Sequence, residues 1–425
     1  MSDVQQRGHT LTIVIPALDE EEAIGDTIDR CLDARAHILQ TSAVEEVEII
    51  VVSDGSTDRT EEIARSYEEV TVLAFERNRG YGAAIMCGFE QGRGDLVGFL
   101  DADGTCDPRV FANLCRALDE EGADVALGSR MGPGSEMPRL RAAGNLMFAW
   151  ILGLLSWRQV KDTASGMRVI RRACLPDLYP LPEGLHFTPA MSARVLLEDK
   201  LKLVEIAMPY AERVGRSKLS VLHDGVRFLT VIVQAAVTYR PARPLLIGAC
   251  VLALLGLASG IGPLALYVRS GHLEEWMIYR ILLTSLFATL ASLLMCAAVV
   301  ADRIAATAHY RPFDARGVTG LVARAFTRRA RLIGGTVLLA GAVLVAWPGI
   351  VQYQSTGQVD MHWSRAVAAT LLVALAAVLA VTTFLLNMMD LMHVQRTRNA
   401  GIKPPDRVRR ARKSAMVRSL AEIER

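Results

Sequence analysis

Four long apolar runs, residues 244–268, 281–300, 332–351 and 366–389, restrict the fold of this chain more than any other feature. Each is close to the ~20 residues a helix needs to cross a hydrocarbon layer of ~30 Å. Four such runs leave little room for the alternative, helices buried in a soluble core. At 425 residues and 51% hydrophobic, the chain is too apolar for one soluble domain and long enough for more than one. Residues 220–243, amphipathic and basic at their end, read as a juxtamembrane helix. They separate a first domain, 1–219, from a four-helix membrane domain, 244–390.

The placement of Lys and Arg sets an expected orientation. The linker 301–331 carries seven arginines, and residues 394–425 of the tail 391–425 carry ten basic residues. The short loops after the first and third runs offer only Arg269 and Arg280, and Arg365. The positive-inside rule therefore puts the linker, the basic tail and the N-terminal domain in the cytosol, with both termini there and an even number of spans. The first nine residues are polar, so no cleavable signal peptide is expected. Seven cysteines are scattered without a CxxC pair, which suits reduced thiols rather than a disulfide or zinc framework. Net charge is +2, so the protein is no polycation. The tail's arginines lack interleaved aromatics; they suit anionic lipid head groups, and no nucleic acid partner is expected.

The first half alternates short β-branched runs with helical segments. LTIVI (11–15) is stopped by Pro16 and followed by ALDEEE. VEIIVV (47–52) ends in SDGSTD, and residues 70–75 are followed by NRGYG. VGFL (97–100) ends in Asp101-Ala102-Asp103-Gly104, and ALGSR (126–130) ends in a cation. This alternation predicts a doubly wound, mostly parallel sheet. Acids at successive strand ends collect at the carboxyl edge, where open α/β sheets bind ligands. Two carboxylates one residue apart repel unless a cation lies by them. Hard oxygen donors of this kind suit Mg²⁺ or Mn²⁺ with positions left for diphosphate oxygens. A merely solvated acidic turn is the alternative. Arg130 at its strand end faces either a phosphate, which a guanidinium grips two oxygens at a time, or a nearby acid.

The motifs VIPALDEEE, VVSDGSTDRT, NRGYGAA, FLDADGTCDP and ALGSR, in this order, resemble glycosyltransferase family two, of the GT-A nucleotide-sugar fold. Within it they are similar to dolichyl-phosphate mannose synthases and undecaprenyl-phosphate glycosyltransferases. The likeness covers about the first 220 residues. It implies a Rossmann-like GT-A domain in which Pro16, Leu18, Glu20, Asp54, Asp101, Ala102 and Asp103 line a nucleotide-sugar site. Asp54 would contact the base, and Asp101 and Asp103 the metal and diphosphate. Where many relatives carry Gln or Ser after the acidic pair, this chain has Gly104 and Thr105, so either the Thr105 hydroxyl or a water is the expected third metal ligand or neighbour.

The resemblance also implies an acceptor site. In KDTASGMR (161–168), Asp162 is the orienting carboxylate or base and Arg168 a phosphate ligand. Arg130, Arg213 and Lys218 complete the phosphate-binding set, with Gly215 as a pivot. Asp103, Asp162 and Arg130 are the expected catalytic residues. NLMFAWILGLLSW (145–157), thirteen residues, is too short to span; it reads as a helix in the membrane interface or in the core. Glu198-Asp199 reads as a solvated helix face.

The expected activity is metal-dependent, inverting transfer of a sugar from a GDP- or UDP-linked donor to a polyprenyl phosphate, giving a lipid-linked monosaccharide. The alternative is a catalytically weak sugar-nucleotide-binding protein whose four-helix half transports or organises the lipid. A processive synthase would carry a QxxRW segment, which is absent from the sequence. The second pair of spans leaves room for a homo-oligomer.

Overall fold

The computed structural model describes residues 8–132, 135–198, 200–213, 220–308 and 327–399. It divides into two compact units, 1–240 and 241–425.

The first unit is built on a seven-stranded sheet. The strands are β1 (His9–Ala17), β2 (Val44–Ser53), β3 (Thr71–Ala74), β4 (Leu96–Phe99), β5 (Val125–Ser129), β6 (Arg168–Arg171) and β7 (Leu203–Ala207). Their order is β3-β2-β1-β4-β6-β5-β7. All neighbours run parallel except β6, which pairs antiparallel with both β4 and β5. β-Branched and aromatic residues fill the strands because both faces are covered. One face carries Ile13, Ile15, Ile49 and Val51 against the helices α1 (Ile24–Thr41) and α4 (Val110–Glu120). The other carries Val14, Val52, Val97 and Phe99 against α3 (Tyr81–Gln91) and α7 (Phe187–Leu197). Each of these fully buried side chains contributes about 1.5–3 kcal/mol. Register aligns the strand exits: Ala17 pairs with Ser53, and Val14 with Phe99.

Short helices α2 (Thr60–Arg65) and α6 (Leu175–Leu178) fill the connections. Helix α5 (Arg139–Ser156) begins six residues before the apolar stretch that announced it, and it stops where Trp157 turns left-handed at φ 58°. It is amphipathic in an unusual sense. Phe148, Leu152 and Leu155 are buried, while Leu146, Met147, Trp150 and Leu154 are apolar yet exposed, Trp150 by 68%. Helix α8 (Val221–Tyr239) repeats this pattern with Phe228 and Ile232 buried and Val226, Val233 and Val237 exposed. Phe148 meets Phe228 edge-on, ring centroids 5.9 Å apart.

Glu198 corrects the reading of a solvated helix face. It follows the last residue of α7 in extended conformation and is only 8% exposed, so it stands on no helix face. Asp199 lies outside the described residues.

The second unit holds α9 (Ala242–Ser270), α10 (Ile278–Ala308), α11 (Arg328–Thr356) and α12 (Trp363–Asn399). Among the described residues, four helices here are long and apolar enough to cross a membrane. Gly256 and Gly260 let α9 approach α10 closely at Thr284 and Phe287, and Ser259 Oγ lies 3.1 Å from Thr284 Oγ1. Small residues four apart are the usual means of close helix contact in lipid. Arg331 Nε donates to Thr383 Oγ1 at 3.1 Å, tying α11 to α12. Most of the basic linker and the tail beyond residue 399 lie outside the described residues.

Candidate active site

The exits of β1, β2, β4 and β5 open into one cavity of about 890 Å³. Pro16, Leu18 and Glu20 come from the first strand, Asp54 from the second, Asp101, Ala102 and Asp103 from the fourth, and Arg130 from the fifth; all lie on its wall. Arg213, just after β7, joins them.

The acidic turn is held from three sides. Gly104 takes φ 74°, a left-handed conformation that a side chain would strain. Arg30 on α1 donates to the carbonyls of Gly104 at 2.8 Å and Cys106 at 2.9 Å. Thr105 is fully buried and gives both its N–H, at 3.2 Å, and its hydroxyl, at 2.7 Å, to Asp103 Oδ1. The hydroxyl expected near a metal thus donates its proton to Asp103 and orients that carboxylate.

Asp101 accepts a hydrogen bond of 2.6 Å from the Tyr81 hydroxyl. Behind it stands Gly166, where any Cβ would occupy the space of the Asp101 carboxylate. Burial first, and then the negative charge of Asp103, push the Asp101 carboxyl up to about 6, against the Tyr81 bond and the charges of Arg130 and Arg213. An acid in this state is short of positive charge. Arg213 supplies some: one nitrogen lies 2.7 Å from Glu20 Oε1 and the other 3.3 Å from Asp103 Oδ2. It is brought there because Ala211 N donates to Thr105 O at 3.0 Å, fastening the chain after β7 to the acidic turn.

Asp54 is 3% exposed and accepts bonds from the N–H groups of Arg79, at 2.7 Å, and Gly80, at 3.0 Å. It fixes the turn into α3, and burial raises its carboxyl despite those bonds.

Arg130 and Asp162 form a fork-to-fork pair: Nε to Oδ2 and Nη2 to Oδ1, each 2.8 Å, with the Arg130 N–H on Oδ2 at 3.0 Å. Asp162 has no exposure, and Arg130's charge and hydrogen bonds hold its carboxyl below the usual carboxylate range. Arg130 is pushed further toward the charged form, and its guanidinium stacks over Tyr210 at 5.4 Å.

Arg168 departs from the sequence expectation. It is fully buried behind the cavity wall, donating to the carbonyls of Thr163, at 3.0 Å, and Ser165, at 3.3 Å, and to Ser192 Oγ, at 2.9 Å. Its side chain braces the loop before β6 and does not reach the cavity; burial lowers it to about 10. Lys218 and Gly215 lie outside the described residues.

Residues the sequence did not mark also reach this site. Tyr81, Tyr210, Arg141 and Asn145 line the cavity, as do Leu140, Met147, Val226 and Leu229 from α5 and α8. The acids come from the strand exits, and most of the apolar lining comes from α5 and α8, which also bring Arg141 and Arg227 to the wall. Among the described residues no group of three His, Cys, Asp or Glu side chains could hold a metal ion. The site offers a carboxylate pair, not a complete cage.

A family model described as glycosyl transferase family 2 matches residues 12–178. The low-salt glycan biosynthesis hexosyltransferase Agl6 of Haloferax volcanii is 30% identical over 358 residues, covering 81% of this chain and 79% of that protein. The dolichyl-phosphate hexose transferase of the same organism is 33% identical over 237 residues, 54% of this chain and 95% of that one. Glucosyl-3-phosphoglycerate synthase from Mycobacterium tuberculosis, solved with Mn²⁺ and UDP-glucose, shares 22% identity over 54% of this chain and 80% of its own, at a TM-score of 0.42. The chain belongs to glycosyltransferase family 2, with a mostly parallel, Rossmann-like GT-A domain followed by four long apolar helices.

Proposed function

We propose that the protein transfers a sugar from a nucleotide-diphosphate sugar, GDP- or UDP-linked, to a polyprenyl phosphate, inverting the anomeric carbon. One observation carries this reading: a single cavity joins a carboxylate pair and the Arg130 guanidinium to a largely apolar wall made by α5 and α8, on which Arg141 and Arg227 also lie. A sugar nucleotide needs the first; a phosphate on a long hydrocarbon needs the other two together.

The donor lies over the exits of β1, β2 and β4, its nucleotide along Pro16, Leu18 and Asp54. Asp101 and Asp103 fit Mg²⁺ or Mn²⁺: hard oxygen donors, one carboxyl raised by burial, and a guanidinium already drawn to the other. Bound there with the donor's diphosphate, the ion supplies neutralising charge for the departing nucleoside diphosphate.

The acceptor phosphate lies against Arg130, with Arg213 within reach from Asp103, and its chain follows the apolar wall. A phosphate oxygen attacks the anomeric carbon, a carbon–oxygen bond forms to it, and the bond to the donor's β-phosphate oxygen breaks. The nucleophile is already ionised near neutral pH, so no strong base is required. Asp162 fits this: held in its charged form and spent on Arg130, it orients the guanidinium and takes no proton. The exposed apolar faces of α5 and α8 rest in the membrane interface, where Trp150 is at home. The four long helices span the membrane, and the catalytic domain and both termini face the cytosol.

Asp103→Asn tests the reading in membranes incubated with labelled sugar nucleotides and polyprenyl phosphate. Glycolipid formation should fall by about a thousandfold or more at undiminished protein level. Unchanged turnover overturns the assignment. The anomeric configuration of the product, read by NMR, tests inversion.

A further inference from the structure

Asn145 is 6% exposed on the inner side of α5, and all four of its hydrogen-bonding positions are in use. Nδ2 donates to Asp162 Oδ1 at 3.0 Å and to the carbonyl of Lys161 at 3.3 Å. Oδ1 accepts from the N–H of Thr163 at 3.1 Å and from its hydroxyl at 3.0 Å. An amide satisfied on both ends cannot turn without losing bonds on both, so its orientation is fixed. The carboxylate it holds is the one that aims Arg130. From the other side, Glu205 on β7 accepts the N–H groups of Lys161, at 2.9 Å, and Asp162, at 3.0 Å. Asp162 is therefore gripped between α5 and the sheet.

The neighbours of Asn145 along α5 are Leu146 and Met147, apolar and about half exposed at 50% and 49%. One helix thus carries a lipid-compatible surface outside and, one residue away, the amide that sets the Asp162–Arg130 pair. Packing does not require this. A residue chosen to fill the space would be apolar, as Phe148 and Leu152 are.

We propose that Asn145 is a positioning residue for acceptor binding: through Asp162 it fixes the direction of the Arg130 guanidinium, so that the seating of α5 decides how well the phosphate is held. This rests on the reading that Arg130 binds the acceptor phosphate. Asn145 makes no hydrogen bond to the residues at the exits of β1, β2 and β4, so its effect on donor binding is indirect.

The test measures KM for polyprenyl phosphate and for the donor with the full-length protein in nanodiscs. Asn145→Asp keeps the shape but replaces the donor facing Asp162 Oδ1 with an oxygen, so a role in packing would survive it. It removes both Nδ2 bonds and sets a second carboxyl against Asp162, and should raise the acceptor KM at least about tenfold, with a much smaller change in the donor KM. Leu152→Ala, a cavity on the same buried face, should lower thermal stability without changing the ratio of the two KM values. Arg130→Gln should raise the acceptor KM. If it does not, the reading of Arg130 fails, and this inference with it. If Arg130→Gln raises the acceptor KM and Asn145→Asp does not, the positioning role alone is overturned. Should Asn145→Asp not accumulate, Asn145→Ser, which cannot reach Asp162, is read in the same way.

Discussion

Arg213 lies 3.3 Å from Asp103, across the space between that carboxylate and Glu20. This guanidinium serves as counter-charge to the acids that are proposed to face a divalent ion. A cation held by Asp103, as proposed, would compete with that contact. Arg213→Ala should therefore tighten Mn²⁺ binding to the donor-free protein, by about tenfold at the strength of a half-buried ion pair. Titration calorimetry or Mn²⁺ spin resonance reads this directly. An unchanged or weaker affinity would show that Arg213 does not compete with the ion.

Thr105 makes two hydrogen bonds to Asp103 and is itself buried. Thr105→Ser keeps the hydroxyl and should retain most activity. Thr105→Val keeps the volume but leaves Asp103 one bond short, and turnover should fall by about tenfold. Equal activity of the two variants would remove Thr105 from the site.

Asp162 gives a pH-dependent contribution to stability whose sign follows from its environment. Its carboxyl is lowered in the fold from 3.8 by Arg130, against the opposing effect of burial. The stabilisation is present above 3.8, across the neutral range, and is lost as pH falls through the folded value. Asp162→Asn leaves Arg130 buried without its partner and should cost about 3 kcal/mol at pH 7. Melting of the detergent-solubilised protein should show a gap between wild type and variant that closes only below pH 4. A gap that closes between pH 7 and 5 would contradict the pairing.

Trp150 and Leu154 stand on the exposed apolar side of α5. A Trp150→Glu, Leu154→Glu double variant puts charge where the proposal puts lipid, and should raise the acceptor KM while leaving the donor KM alone. If both constants stay at wild-type values in nanodiscs, α5 does not rest on the membrane.

The β–α alternation and the acidic strand exits were legible because a buried strand must be apolar and must stop where charge begins. The pattern around Asp54 and Asp101 therefore announces a sheet edge. Strand β6 was not legible: RVIR is four residues long with an arginine at each end, and nothing local says that Arg168 faces carbonyls rather than a ligand. Asn145 was hidden for the opposite reason. It opens an apolar stretch whose hydropathy drew attention to the residues after it. Tyr81 sat within a recognised turn, but its bond to Asp101 depends on how α3 packs on β4, which spacing alone does not reveal.

Antiparallel β6 has a consequence for how this site can vary. Its register, with Arg168 opposite both Phe99 and Leu127, fixes the loop ahead of it. That loop sets Gly166 behind Asp101 and Asp162 beneath Arg130. On the proposed reading, a single-residue insertion there would disturb donor and acceptor grips together, whereas lengthening the turn after β2 would act chiefly on the nucleotide side. If the proposed function holds, changes of base are open to this scaffold at a single loop, but the alignment of the two substrates is inherited as a unit.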